Sequence, residues 1–265
     1  MEKCAETVDS TGIIEEDMWK ILDCILDVGE MLLISGAEVN RVENTMQHMA
    51  IAYGCKRVEP FVITENITIT VHTEKESIIT QSRRIQGYQT DMKKVENCNA
   101  LSRRVCKETL PLEELKKEVE KIRHSAAYPG WAILLAYGFC AASFTIFFGG
   151  SIGDGAASFL GGLVIWVVQK IGRKLEVQNI VLTVLSSAAA ALCAVTLTSL
   201  GLGASIDKIS IGNIMLLIPG LAFTISVRDI ISGDTISGLL GVCEALLRAM
   251  AIAAGFAIVL WRLAV

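Results

Sequence analysis

The sequence predicts an α-helical integral membrane protein with about five transmembrane helices, preceded by an N-terminal cytosolic α+β domain. Two observations carry this prediction. Residues 1–128 hold 17 of the 24 Lys and Arg residues and 22 of the 28 Asp and Glu residues. Residues 129–265 contain long uncharged runs, a composition that excludes one water-soluble domain for the whole chain. We therefore expect a flexible N-terminus at 1–15, a cytosolic domain at 16–128 and a transmembrane domain at 129–265.

Two amphipathic helices are predicted at the start of the cytosolic domain. Apolar residues at helical spacing, with acids between them, indicate the first helix at about 16–34. The sequence Ser35-Gly36-Ala37-Glu38 matches a capping box, so we expect Ser35 to cap the second helix and Glu38 to bind back to the Ser35 amide. Gly54 is expected to end this second helix.

A short sheet and two more helices complete the predicted domain. Asn66–His72 alternates strictly between polar and apolar residues, which is typical of a half-buried strand. The segments 61–63 and 78–80 have the composition of neighbouring strands. Further helices are expected at about 91–107 and 111–124.

Five membrane spans are predicted in the second half. They are expected at about 131–148, 152–169, 180–203, 211–227 and 236–261. The second span is the weakest, because its uncharged run from Ala156 to Gln169 covers only about 21 Å of a hydrocarbon core of about 30 Å. A re-entrant segment is the alternative for this part of the chain.

The basic residues predict the orientation of the chain. Lysines and arginines precede the first span and lie between the second and third spans, whereas the loops at 149–155 and 204–210 together contain one, Lys208. By the positive-inside rule the N-terminus is cytosolic, and five spans then place the C-terminus outside. The first 30 residues lack the basic start and apolar core of a secretory signal, so none is expected there.

Proline and glycine interrupt the fourth predicted span at Leu217-Ile218-Pro219-Gly220. Pro219 removes an amide donor and Gly220 loosens the backbone, so carbonyl groups become available near the membrane interior. Transporters use such interrupted helices to build substrate sites. A packing kink explains the same residues equally well.

The charged residues of the membrane half are candidates for a transport pathway. The densest group comprises Arg228, Asp229, Asp234, Glu244 and Arg248. A charge near the bilayer centre costs about 2.5–3.5 kcal/mol, so Glu244 and Arg248, four residues apart, must pair and face protein or water. We expect Arg228 or Arg248 to hold a substrate carboxylate and Asp234 or Glu244 to take up a proton. The alternatives are a structural ion pair at Glu244 and Arg248, and anchoring at the interface by Arg228 and Asp229.

Motifs for an enzyme, a cofactor or a metal do not stand out in the sequence. P-loop, G-x-S-x-G and H-E-x-x-H patterns are missing, and His48, His72 and His124 have no ligand spacing. The pI near 5.5 and the lack of a basic tract argue against nucleic acid as a partner. We expect a non-enzyme without catalytic residues, metal or cofactor.

Several segments together resemble one known family. They are Gly36-Ala37-Glu38-Val39-Asn40-Arg41-Val42-Glu43-Asn44-Thr45-Met46, Leu101-Ser102-Arg103, Pro219-Gly220, Arg228-Asp229, Gly233-Asp234 and Gly238. These segments resemble motifs of the threonine/serine exporter (ThrE) family, and the resemblance extends over about residues 18–262. The soluble-domain motif that it implies comprises Gly36, Glu38, Arg41, Glu43, Ser102 and Arg103.

The resemblance implies a secondary exporter of small hydrophilic metabolites in a bacterial plasma membrane. Fused members of the family have about ten spans, and this chain is similar to the larger subunit, with the N-terminal domain, of a split branch associated with succinate export. We therefore expect proton-motive-force-linked export of small amino acids or dicarboxylates together with a small membrane subunit. Homo-oligomerisation is a further expectation. The alternatives are a membrane-anchored hydrolase with its enzyme domain at 1–128, and a membrane scaffold without transport.

Overall fold

The computed structural model describes residues 15–73, 77–125 and 128–264, and helices predominate in this part of the chain. The predicted flexible segment at 1–15 lies outside the described residues except for Glu15. In chain order the elements are α1 Glu15–Ile34, α2 Val39–Ala52, β1 Arg57–Ile63, β2 Asn66–His72, β3 Ile78–Arg84, α3 Met92–Lys107, α4 Leu112–Arg123, α5 Gly130–Phe147, α6 Ile152–Lys174, α7 Asn179–Ser199, α8 Ile206–Met215, α9 Gly220–Ser232 and α10 Thr235–Ala264.

The chain divides into two compact units. The first contains Met1–Ala126 and Leu221–Val242, and the second contains Ala127–Gly220 and Cys243–Val265. The first unit therefore includes a segment that the sequence places among the membrane helices.

The four predicted helices of the N-terminal part are confirmed as α1 to α4, with ends within about two residues of those expected. Their apolar stripes form one core, in which Leu22, Ile25 and Leu32 of α1 and Met46 of α2 are completely buried. Burial of one such side chain contributes about 1.5–3 kcal/mol. The helical periodicity of the sequence thus reports a real packing face.

The predicted capping box is wrong, because Ser35 and Gly36 end α1 instead of starting α2. The amide of Ala37 donates to the Leu32 carbonyl and that of Gly36 to the Leu33 carbonyl, which is the bonding pattern of a Schellman motif. Gly36 has φ +90°, a conformation that glycine adopts without steric cost. The residue before α2 is Glu38, which has extended backbone angles and makes no side-chain capping bond.

The predicted sheet is confirmed and has the order β1-β2-β3 with both pairs antiparallel. On its inner face Ile67, Ile69 and Val71 are completely buried. On the other face the Thr70 and Thr80 hydroxyl groups lie 3.0 Å apart across the β2–β3 pair. The period-2 pattern of β2 therefore predicted both the strand and the orientation of its two faces.

Four helices among the described residues are long and apolar enough to cross a membrane, namely α5, α6, α7 and Thr235–Trp261 of α10. Helices α8 and α9 meet the same criteria only together, as a bent pair, which raises the number to five. With its 23 residues, α6 is about 35 Å long and exceeds the short run predicted for it.

The predicted break in the fourth span is confirmed, but its limits differ from those expected. Helix α8 starts at Ile206 and ends at Met215, and α9 starts at Gly220 and continues to Ser232. Arg228 and Asp229, expected just beyond the end of a span, therefore lie within a helix. The proline without an amide separates the two helices, as its chemistry requires.

Small residues allow the helices of the second unit to approach closely. In the predicted small-residue stripe of α7, Ser186, Ala190 and Ala194 are completely buried, whereas Thr198 is only partly buried. A Cβ added to Gly212 of α8 would lie 2.7 Å from the Ala141 carbonyl oxygen of α5. Helices in lipid associate through such close contacts because no hydrophobic effect drives them together.

Asp154 ties together two loops of the second unit. Its side chain accepts hydrogen bonds from the Ser151 amide at 2.8 Å, the Ala204 amide at 2.7 Å and the Ser205 amide at 2.9 Å. With Ser151 it also forms a capping box at the start of α6. The carboxylate is 2% exposed, so its partners replace the water that it loses.

We expect Asp154→Asn to lower the stability of the second unit, because an amide nitrogen cannot accept and leaves either the Ser151 side or the Ala204–Ser205 side unsatisfied. The loss should be about 1–3 kcal/mol, seen as a lower midpoint in thermal unfolding of the detergent-solubilised chain. Asp207→Asn, at an exposed position of α8, is the matched control. Equal midpoints for the two variants would contradict this role of Asp154.

Candidate functional site

Two charged residues of α9 meet the start of α2 within the first unit. The Arg228 guanidinium donates to Glu38 Oε1 at 2.6 Å. The next residue, Asp229, accepts a hydrogen bond from the Val39 amide at 3.3 Å. The sequence separation of both pairs is 190 residues, and the structure thus brings two candidate segments together.

Asp229 provides the cap that α2 lacks from its own sequence. The first amides of a helix have no partner within that helix, and its N-terminus favours a negative charge. Glu38 directs its carboxylate to Arg228, and the Val39 amide is satisfied by Asp229, which is 6% exposed. The two charges of α9 are thus used as one ion pair and one capping bond.

Two acids of the first unit, Glu43 and Asp234, hold protons more strongly than they would in water. Burial raises the pKa of Glu43, the Val62 amide that donates to it at 3.0 Å opposes this rise, and the charge of Asp234 adds to it. Burial also raises the pKa of Asp234, and its Oδ2 has no hydrogen-bond partner among the described residues. Such groups are suited to accept protons near neutral pH.

An open pocket of about 600 Å³ lies beside the Glu38–Arg228 pair. Helices α2 and α3 supply most of its lining, and the motif residues Arg41, Ser102 and Arg103 are among them. The remaining motif residues lie nearby in the chain, with Gly36 in the turn before α2 and Glu43 on α2 itself. Three segments that are distant in the sequence thus converge on one pocket.

Glu244 and Arg248 form the predicted ion pair on α10, with Arg248 Nη2 at 2.6 Å from Glu244 Oε1. These residues belong to the second unit. In the single chain the Glu244 side chain is 51% exposed and that of Arg248 is 30% exposed. The expectation of a charge pair is confirmed, and the chain leaves half of the glutamate surface open.

Pro219 and Gly220 lie at the break between α8 and α9. The Gly220 amide donates to the Ile218 carbonyl at 2.9 Å, so the chain turns tightly there. The structure therefore distributes the predicted pathway residues: Arg228, Asp229 and Asp234 are in the first unit, whereas Pro219, Gly220, Glu244 and Arg248 are in the second.

A buried polar group in the second unit was missed by the sequence analysis. Ser158 of α6 donates to the side-chain carbonyl of Asn213 of α8 at 3.2 Å, and both residues are completely buried. Among the described residues Asn213 Nδ2 has no partner. The signal was an amide within an uncharged run, which a search for charged residues ignores.

Comparison with known protein families matches residues 23–262 to ThrE, described as "Putative threonine/serine exporter". The chain belongs to the ThrE family. This match includes most of both units, and ThrE is a family of transporters. No curated protein and no solved structure matches the chain. The family resemblance is thus confirmed, and the assignment to a split branch stays a prediction.

We expect Asp229→Ala in this ThrE chain to loosen the start of α2, because the Val39 amide loses its acceptor. Loss of a cap costs about 1 kcal/mol, which corresponds to about fivefold faster amide hydrogen exchange in a peptide covering 36–46. Asp229→Asn keeps a carbonyl acceptor and should exchange almost like the wild type, and the peptide covering β2 is the internal control. Unchanged exchange in Asp229→Ala would refute the capping role.

We expect Glu43→Gln to change how the stability of the first unit depends on pH. Since the pKa of Glu43 is raised above its ordinary 4.5, its favourable contribution is complete below that value and is lost as the pH rises through the folded pKa. The wild type should therefore lose stability relative to Glu43→Gln between about pH 4 and about pH 7. Thermal unfolding at a series of pH values checks this, with exposed Glu65→Gln as the control; parallel profiles for wild type and Glu43→Gln would contradict it.

Proposed function

We propose that this chain is a subunit of a secondary exporter that moves threonine, serine or small dicarboxylates across the bacterial plasma membrane. The observation that carries the proposal is the ThrE match over residues 23–262 in a chain with four to five helices able to span a membrane. The interrupted pair α8 and α9 supports it, because broken membrane helices expose backbone groups for binding.

The ion pair between Arg228 and Glu38 suggests how substrate is handled. Arg228 already binds a carboxylate through its guanidinium, and the carboxylate of an amino acid or dicarboxylate has the same chemistry. In the proposal, substrate competes with Glu38 for Arg228. Asp234, with its raised pKa, would take up the proton that couples export to the proton motive force.

A second membrane subunit is part of the proposal. Each charge exposed to lipid near the bilayer centre costs about 2.5–3.5 kcal/mol, and the Glu244 side chain is 51% exposed on the single chain. A small membrane subunit that covers this face of α10 would remove that cost. A second copy of the same chain could cover it too, and the mass of the purified complex distinguishes the two.

The proposed topology has the N-terminal domain in the cytosol and the C-terminus outside. It is supported by Lys170, Arg173 and Lys174 at the end of α6, which agree with the positive-inside rule. The position of the C-terminus depends on α8 and α9, which cross once as a bent pair or return as a re-entrant loop. A reporter fused after Val265 decides between these, since only the single crossing places it outside.

We expect Glu244→Gln and Arg248→Ala to reduce export at least tenfold at matched membrane levels, because each variant leaves one charge without its partner. Efflux of threonine, serine and succinate from cells expressing the chain is the measurement. Glu176→Gln, at an exposed position between α6 and α7, is the control. Wild-type rates in both variants would exclude the pair from the pathway.

The charge-swapped double variant Glu244→Arg/Arg248→Glu separates a transport role from a structural one. It keeps an ion pair at the same spacing. Export should stay low if the two groups act on substrate or protons at their own positions. Full recovery of export would instead assign them a purely structural role.

A further inference from the structure

The pocket of the first unit has more positive charge than its own residues neutralise. Arg41, Arg103, Lys107 and Arg228 contribute to its lining, and Glu38 is its one acidic residue. Glu38 is already bound to Arg228. Within 15–73, 77–125 and 128–264, the other three cations make no hydrogen bond or ion pair.

We propose that this pocket is a binding site for a small dicarboxylate anion. Its volume of about 600 Å³ falls within the range of about 300–1,000 Å³ that is usual for small-molecule sites. Arg41 on α2 and Arg103 on α3 each present a planar guanidinium, which binds carboxylates in a bidentate manner. Asn44, Asn99 and Ser102 add neutral donors beside them.

The charge balance favours a dicarboxylate over a zwitterionic amino acid. An amino acid carries an ammonium group, which needs an acceptor of negative charge. Glu38, the acidic residue of the lining, is occupied by Arg228. Two carboxylates, by contrast, match two arginines that different helices supply.

Occupancy of the pocket is linked to α9 through Arg228. A ligand carboxylate that contacts Arg228 competes with Glu38 and changes the contact between α2 and α9, so the ligand would regulate the chain from its N-terminal unit. This regulatory consequence rests on the proposed export function, whereas the binding site itself does not.

The test is isothermal titration of the full chain in nanodiscs of zwitterionic lipid, in which no lipid anion competes. The probes are succinate, threonine and inorganic phosphate. The variants are Arg41→Gln, Arg103→Gln and their combination, with Arg84→Gln on β3 as a control of equal charge change outside the pocket. Neither Arg41 nor Arg103 has a described partner whose loss would disturb folding.

We expect succinate to bind the wild type and the Arg84→Gln control equally, and each pocket variant about tenfold more weakly. Three results would overturn the proposal: no succinate binding to the wild type, unchanged binding to the double variant, or phosphate or threonine binding at least as tightly as succinate. Export measured with the same proteins keeps the two proposals apart. Binding that is lost in the double variant supports the site even in a chain that exports nothing, and export without succinate binding by the wild type refutes the site alone.

Discussion

The first unit depends on how the charges of α9 are satisfied. Arg228 and Asp229 are adjacent charges in a largely apolar helix, and charges removed from water are tolerated only with partners. The start of α2 supplies both partners, through the Glu38 carboxylate and the Val39 amide. Helix α2 in turn receives the acceptor that its own sequence does not provide. Each helix therefore supplies what the other lacks.

This contact gives a physical reason for a family signature that is spread along the chain. The segment around Glu38 and Arg41, the segment at Ser102 and Arg103, and Arg228 all border one pocket. Residues that seem unrelated in the sequence thus act on the same small volume. A change in any one of these segments alters the electrostatics sensed by the others.

Local patterns in the sequence were sufficient to predict the elements of the fold. Strict alternation defined β2, helical periodicity defined α1 to α4, and Pro219 marked the break before α9. The capping box at Ser35 failed because the same residue types also end helices, and only tertiary contacts decide which helix they serve. Likewise the ion pair of Arg228 joins residues 190 positions apart, a distance over which periodicity carries no information. The Asn213 amide was overlooked because its effect depends on burial, which composition does not reveal.

The packing around Asn213 has a consequence for movement. A buried amide donor without an acceptor costs about 1–3 kcal/mol, and this group lies on α8, just before the chain breaks. Glycines at 161 and 212 keep this region too tight for even one added methyl group. An arrangement that admitted a water molecule or a solute oxygen beside the amide would recover the cost. The tightly closed form is therefore not the energetic optimum for this residue, and hydration of the cleft would favour opening.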